Sequence, residues 1–320
     1  MQDKKKWCIG YVNYNSDVYL KWQLKILYEF NNPDDFELII VDNSSPNQTE
    51  ELEILVKPYN DLNNNIKIVF HNPKSKKASD QHAEGLDIIK DMMNAKYLLV
   101  QDPDFFYVKE NYLRIFESHL ENGVVAIGAP YPSLVGNGNP RFPCAFGCAM
   151  VANIFDDVNI NFQADASRFE ESIRDFPGFD FSFDVGYKIR LAYSDRRVIS
   201  FEQKRCGYLS KIIGSHSFEV ISQEYFLEGE TIAFHLFRGT FTGEVNADHE
   251  DPKLVIKKET IKIRNNYGKF FYDYIRKSTL SYKTYLKIKF FVPSVMFFLD
   301  RRRKSFKKSL RKRFVFRFLK

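Results

Sequence analysis

The sequence predicts an α/β fold: a mostly parallel sheet flanked by helices, followed by a basic helical extension at the C-terminus. Three observations predict it. Apolar runs of strand length open at Trp7, Phe36, Ile66 and Tyr97, roughly 30 residues apart, the spacing of a repeated βα unit. Helical periodicity fills the intervals between them. Polar residues cluster just after each run, at the strand ends where open α/β sheets hold ligands.

Residues 7–13 read as a buried strand, and 17–30 as a helix with apolar positions at Val18, Leu20, Leu24, Ile26 and Leu27. Residues 36–41 form the second strand, broken by the polar run Asp42-Asn43-Ser44-Ser45-Pro46-Asn47. An acidic helix over 49–56, a third strand over 66–70, a helix over 79–93 and a fourth strand over 97–100 continue the alternation. After about residue 125 short strands, aromatic clusters and the loop Gly136-Asn137-Gly138-Asn139-Pro140 replace the βα rhythm, which reads as an elaboration of the same sheet.

The 320 residues are enough for one large domain with an appendage, and 44% hydrophobic with 28% charged residues excludes wholesale disorder and a polytopic membrane protein. Aromatic content is high at 16%, most of it from 31 Phe and 18 Tyr. The four cysteines are too few and scattered for a disulfide scaffold. The N-terminus lacks the apolar core of a signal peptide, so the expectation is a cytoplasmic protein with reduced thiols. The net charge of +6 hides an asymmetry, because 11 of the 47 basic residues lie in 301–320, leaving 36 against 41 acids elsewhere. The expected division is therefore a mildly acidic body, 1–245, and a basic helical extension, 246–320.

Gln101-Asp102-Pro103-Asp104 closes the fourth strand. Two carboxylates two positions apart at a strand end, where proline turns the chain, can converge on one hard divalent cation such as Mg²⁺ or Mn²⁺. The same residues also fit a helix cap or a turn. Asp42 at the end of the second strand can accept from a nucleobase ring N–H, or form an Asx-turn with Asn43 and Ser44. Lys74, Lys76 and Lys77 can meet phosphate or serve as solvated charge.

With Ile39-Ile40-Val41-Asp42-Asn43-Ser44-Ser45, Asp102-Pro103-Asp104 and a later acidic segment in hand, residues 7–240 resemble the inverting nucleotide-sugar glycosyltransferases of family 2, which have the Rossmann-like GT-A fold. The resemblance implies that Asp42 contacts the nucleobase and that Asp102 and Asp104 bind the metal and donor diphosphate. Asn72-Pro73-Lys74 resembles the family's segment leading into a donor-side helix, with lysines where glycines are usual, and places Asn72 and Lys74 on the donor. Phe179-Asp180-Phe181-Ser182-Phe183-Asp184 resembles the family's acidic motif, making Asp184, with Asp180 second, the base that deprotonates the acceptor hydroxyl. A helix N-cap is the other reading of that acid. His235, in Ile232-Ala233-Phe234-His235-Leu236-Phe237-Arg238, matches a histidine that reaches metal or diphosphate, and Arg238 lies close enough in sequence to meet the leaving diphosphate. A hydrogen-bonded core histidine is the alternative. His216 and His249 carry weaker signals. Gly147-Cys148-Ala149-Met150-Val151 resembles a small-residue strand lining the acceptor entrance, and equally a packed core strand.

Residues 286–320 join an uncharged stretch of ten, 290–299, to the cationic tail with its interleaved Phe306, Phe314, Phe316 and Phe318. Ten residues fall short of the roughly 20 that span a bilayer. The pattern fits an interfacial anchor on an anionic membrane surface better than a nucleic-acid site, and so a peripheral position at the inner face of the cell membrane. The sequence thus points to a metal-dependent glycosyltransferase using a UDP- or dTDP-type donor, in bacterial surface-polysaccharide or lipid-linked glycan assembly. A non-catalytic scaffold of the same fold and a nucleic-acid-binding protein are the alternatives.

Overall fold

The structure is a computed structural model that describes residues 5–44, 49–75, 77–130, 143–164, 185–193, 196–206, 221–237 and 252–277. Two compact units divide the chain, Met1–Tyr272 and Asp273–Lys320. All described strands belong to the first.

β1 (Lys5–Asn13), α1 (Asp17–Phe30), β2 (Phe36–Asp42), α2 (Thr49–Asn63), β3 (Ile66–Phe70), α3 (Ala78–Met92) and β4 (Ala95–Gln101) alternate as the periodicity predicts. The four strands are parallel, in the order β3-β2-β1-β4. β1 and β2 are apolar along most of their length because both faces are covered, and Ile9, Leu38, Ile39, Ile40 and Val41 have no solvent exposure. Residues beyond the fourth strand extend this sheet with β6 (Ala126–Gly128), β7 (Gly147–Val151) and β8 (Val198–Ser200), β7 running antiparallel to β4. Cys148, Ala149 and Met150 of β7 are fully or almost fully buried, as a core strand requires.

The later half does not all join that sheet. β5 (Phe105–Tyr107), β9 (Glu202–Cys206), β10 (Ile221–Leu227) and β11 (Glu230–Phe237) make a second, antiparallel sheet ordered β5-β11-β10-β9. The physical cause is the Asp102-Pro103-Asp104 turn. Proline has no ladder donor, so the β4 direction ends there and the chain resumes as β5, which pairs with β11. Three further helices are described, α4 (Tyr112–Glu121), α5 (Tyr187–Ala192) and α6 (Pro252–Lys277). Among the described residues no helix is long and apolar enough to cross a membrane.

One close packing sets the position of α3. A Cβ on Gly85 of α3 would stand 2.8 Å from the Val12 methyls, and one on Gly10 of β1 would stand 2.7 Å from Ile89. The two glycines let α3 lie almost on β1, which brings its first turns to the strand ends.

Candidate functional site

Polar side chains gather at the carboxyl ends of β1, β2 and β4. At the β1 and β2 ends the arrangement is a closed knot. Asn13 Nδ2 donates to Asp42 Oδ1 at 2.9 Å and to Asp17 Oδ1 at 2.8 Å. Ser44 adds its backbone N–H at 3.1 Å and its hydroxyl at 2.6 Å to the same Asp42 oxygen. This is the Asx-turn the sequence allowed. Asp42 is only 2% exposed, and every hydrogen bond to its carboxylate among the described residues falls on Oδ1, leaving Oδ2 as the acceptor for anything beyond the knot. Burial raises the Asp17 pKa, the Asn13 bond opposes that, and the nearby Asp42 and Glu51 charges add to it.

The β4 end is built differently. Two buried amides grip the turn from below: Gln101 Nε2 donates to the Phe105 carbonyl at 2.6 Å and to Gln23 Oε1 at 2.7 Å, while Gln23 Nε2 donates to the Pro103 carbonyl at 3.2 Å and to that of Phe105. Phe105 N donates to the Asp102 carbonyl at 3.0 Å, closing the turn, and Leu236 N donates to the Asp104 carbonyl at 3.0 Å. That last bond sets the register that pairs His235 with Phe105. His235 then stacks on Phe146 with ring centroids 4.5 Å apart, so its ring plane is fixed from a third direction.

The consequence is a cluster. One ligand atom from each of Asp102, Asp104 and His235 lies within 4.8 Å of the other two. His235 Nε2 is 3.5 Å from Asp104 Oδ1, and these side chains are 6% and 3% exposed. No hydrogen bond reaches the Asp104 carboxylate among the described residues. Ligand atoms on a cation with bonds of about 2.1 Å stand roughly 3 Å apart when adjacent and 4.2 Å when opposite. A spread of up to 4.8 Å is therefore a little wider than a loaded site. Two carboxylates and one imidazole suit Mn²⁺, and suit Mg²⁺ less well because of the nitrogen.

α3 ties the two ends together. Its Gln81 carbonyl accepts from Asn43 Nδ2 at 3.1 Å, and its His82 Nε2 stands 3.3 Å from Asp102 Oδ1. Asn72 and Lys74 lie in the exposed loop before α3, where Lys74 N donates to Glu84 Oε2 at 3.1 Å. Asp180, Asp184, Arg238, His216, His249 and residues 286–320 lie outside the described residues. So the structure unites Asp102, Asp104 and His235, and places Asp42 at the end of β2, two strands from β4 across β1.

Several residues of the rim were not singled out from sequence. Gln23 sits in the apolar stripe of α1, three residues after Leu20 and four before Leu27, and a polar residue in such a stripe is a readable signal. Gln101 and His82 had only their position beside other motifs. Arg264, in α6, buries its guanidinium and donates from Nη1 to the Asn15 carbonyl at 3.1 Å. A separate groove of about 1010 Å³ lies at the amino-terminal end of β4, lined by Ala95, Lys96, Tyr97, Leu120 and Asn153. It holds none of the converging acids.

No protein-family model matches the sequence, and no curated protein matches it. Among solved structures the chain is similar to TarS of S. aureus, at 17% identity and a TM-score of 0.38 over 49% of this chain and 30% of that one. It thus spans under a third of that chain's length. It is similar also to TarS 1–349, at 13% identity and a TM-score of 0.42 over 89% of this chain and 77% of that one. A third is the mannosyltransferase PcManGT from Pyrobaculum calidifontis in complex with GDP-Man and Mn²⁺, at 13% identity and a TM-score of 0.45 over 88% and 77% of the two chains. These neighbours are glycosyltransferases.

Proposed function

We propose that the chain is a metal-dependent inverting glycosyltransferase that moves a sugar from a UDP- or dTDP-type donor to a hydroxyl of a glycan. The single observation carrying this reading is the convergence of Asp102, Asp104 and His235 at the carboxyl end of β4, on the same sheet edge as the Asp42 knot. Asp102, Asp104 and His235 hold the divalent cation, which when bound supplies positive charge against the charge developing on the leaving diphosphate.

The chain's own residues do the rest. Asp42 accepts a ring N–H of the base through Oδ2, while its Oδ1 stays committed to Asn13 and Ser44. Asn72, Lys74 and Arg238 meet the donor's polar and phosphoryl oxygens. The acceptor hydroxyl oxygen forms its bond to the anomeric carbon as the bond from that carbon to the diphosphate oxygen breaks on the far face. Asp184, or Asp180 in its place, takes the hydroxyl proton. The nucleoside diphosphate leaves with the bonding electron pair. The basic, Phe-rich segment 286–320 supports a place at an anionic membrane surface on the cytoplasmic side, suited to a lipid-linked acceptor in bacterial surface-polysaccharide assembly.

Release of UDP or dTDP from a panel of nucleotide-sugars with Mn²⁺ tests the reading. Turnover abolished in Asp104→Ala and Asp184→Ala, with the thermal midpoint kept, supports it. A parent chain that binds nucleotide and Mn²⁺ yet never turns over across donors and acceptors would instead be the non-catalytic scaffold.

A further inference from the structure

α6 carries a cation to the strand ends, and the proposed metal site alone gives no reason for it. The helix is seated on α1 so tightly that a Cβ on Gly268 would lie 2.1 Å from Trp22 Cδ1. Trp22 Nε1 donates to Asn265 Oδ1 at 2.9 Å, and the Tyr272 hydroxyl donates to Glu29 Oε2 at 2.6 Å. Phe271 stacks on Phe106 and on Phe234, with centroids 4.6 and 5.1 Å away. Arg264, Tyr267, Gly268 and Phe271 follow the i, i+3, i+4, i+7 spacing of one helix face, so the same seating that packs the aromatic rings drives Arg264 inward.

Arg264 is 6% exposed. Its guanidinium donates to the Asn15 carbonyl just past β1, lies 5.4 Å over the Tyr19 ring and hydrogen-bonds the Tyr19 hydroxyl. The Asp104 charge acts on both Arg264 and Tyr19. Burying a guanidinium is costly, and a positive charge that acts on the carboxylate proposed to hold a divalent cation opposes that cation. The arrangement becomes favourable once a polyanion arrives with the metal, because Arg264 and the metal then share its charge.

We infer that Arg264 is a binding residue for the diphosphate of the donor, delivered to the mouth of the site by α6. The inference rests on the reading of Asp102, Asp104 and His235 as a metal site for a nucleoside diphosphate. It makes the docking of α6 part of the binding machinery.

The test uses the full chain with Arg264→Gln and Arg264→Lys. Mn²⁺ is titrated alone, with free Mn²⁺ read by EPR, and UDP, dTDP and GDP are then titrated by calorimetry at saturating Mn²⁺. In Arg264→Gln the Mn²⁺ affinity alone is expected to hold or tighten, while affinity for the diphosphate that binds the parent falls about tenfold or more. Arg264→Lys keeps the charge and recovers part of the loss. A strut that only holds the Asn15 loop moves both affinities down together, and that outcome overturns the inference, as does an unchanged diphosphate affinity. If Arg264→Gln does not fold, Arg264→Lys decides, with a diphosphate affinity equal to the parent's counting against the assignment. A parent that binds none of the three diphosphates with Mn²⁺ overturns the reading of the site itself, a result distinct from any change at Arg264.

Discussion

Two strand-end aspartates of the same sheet are buried to the same degree and treated in opposite ways. Asp42 and Asp104 are each 2% exposed. Asp42 Oδ1 accepts three hydrogen bonds from Asn13 and Ser44, whereas the Asp104 carboxylate accepts none among the described residues and faces the His235 imidazole at 3.5 Å. A buried carboxylate without donors costs several kcal/mol unless something pairs with it. The difference teaches that the chain's own donors satisfy the β2 acid, while at the β4 end the turn is fixed by the chain but its acid is left for the proposed cation to pair. The first region folds from neighbours close in sequence; the second needs β11 to return to the turn after β4.

Removal of a ligand breaks the comparison most directly. Asp104→Asn is expected to lower turnover by about a hundredfold or more and to abolish the EPR signature of bound Mn²⁺. Folding should survive, because the variant relieves a carboxylate with no hydrogen bond among the described residues while removing one charge that favours the buried Arg264; loss of the folded state would contradict the account of an acid kept for metal. At Asp42 removal of the carboxylate should act the other way on stability. Asp42→Ala takes one of two carboxylate acceptors from Asn13 Nδ2 and the acceptor from Ser44, and a loss of about 1–3 kcal/mol is expected in urea unfolding.

Next in size is the amide pair beneath the turn. Gln101→Leu removes one of the two amide donors to the Phe105 carbonyl and leaves Gln23 Oε1 without its Gln101 donor. It should cost about 1–3 kcal/mol of stability and about tenfold to a hundredfold in Mn²⁺ affinity, as expected for a residue that orients metal ligands. An unchanged Mn²⁺ titration would show that the turn holds its shape without the amides. Gly268→Ala probes the α6 seat, where the added methyl meets Trp22. It should cost about 1–3 kcal/mol as an overpacked contact, with a diphosphate affinity lowered in step.

The smallest effect is at the edge of the donor side. Burial works to raise the Glu84 pKa, but the Lys74 and Ser75 backbone N–H groups and His71 outweigh it and hold the carboxyl below its ordinary 4.5. A depressed carboxyl contributes stability above its unfolded pKa and loses it as pH falls through the folded one. Glu84→Gln should therefore melt slightly earlier than the parent above pH about 5, and the two should converge as the pH falls through the depressed folded-state pKa. Because Glu84 is partly exposed, the gap should be small.

The parallel half was legible because period and punctuation agree: each run from Trp7 to Gln101 is apolar, the right length, and closed by polar residues. The second sheet was not legible, since β5 and β11 pair across more than a hundred residues and nothing local announces that. Asp102, Asp104 and His235 could be named from sequence, because a carboxylate doublet and a histidine in an apolar strand are visible as residue types. Gln23 and Gln101 show themselves only as polar residues in apolar runs, a weak mark. Arg264 was out of reach, as its partner Asn15 lies 249 residues away and a charge on a long basic helix looks like solvated surface.

The order in which these pieces leave the ribosome has a consequence. The strand ends that would hold a nucleotide are complete within the first hundred or so residues, but His235 and Arg264 come far later in the chain. A nascent chain can therefore finish its Asp42 knot early and still be unable to grip a metal. If Arg264 meets the donor diphosphate as inferred, a chain ending before α6 would carry the Asp42 end of the site without the cation that completes it.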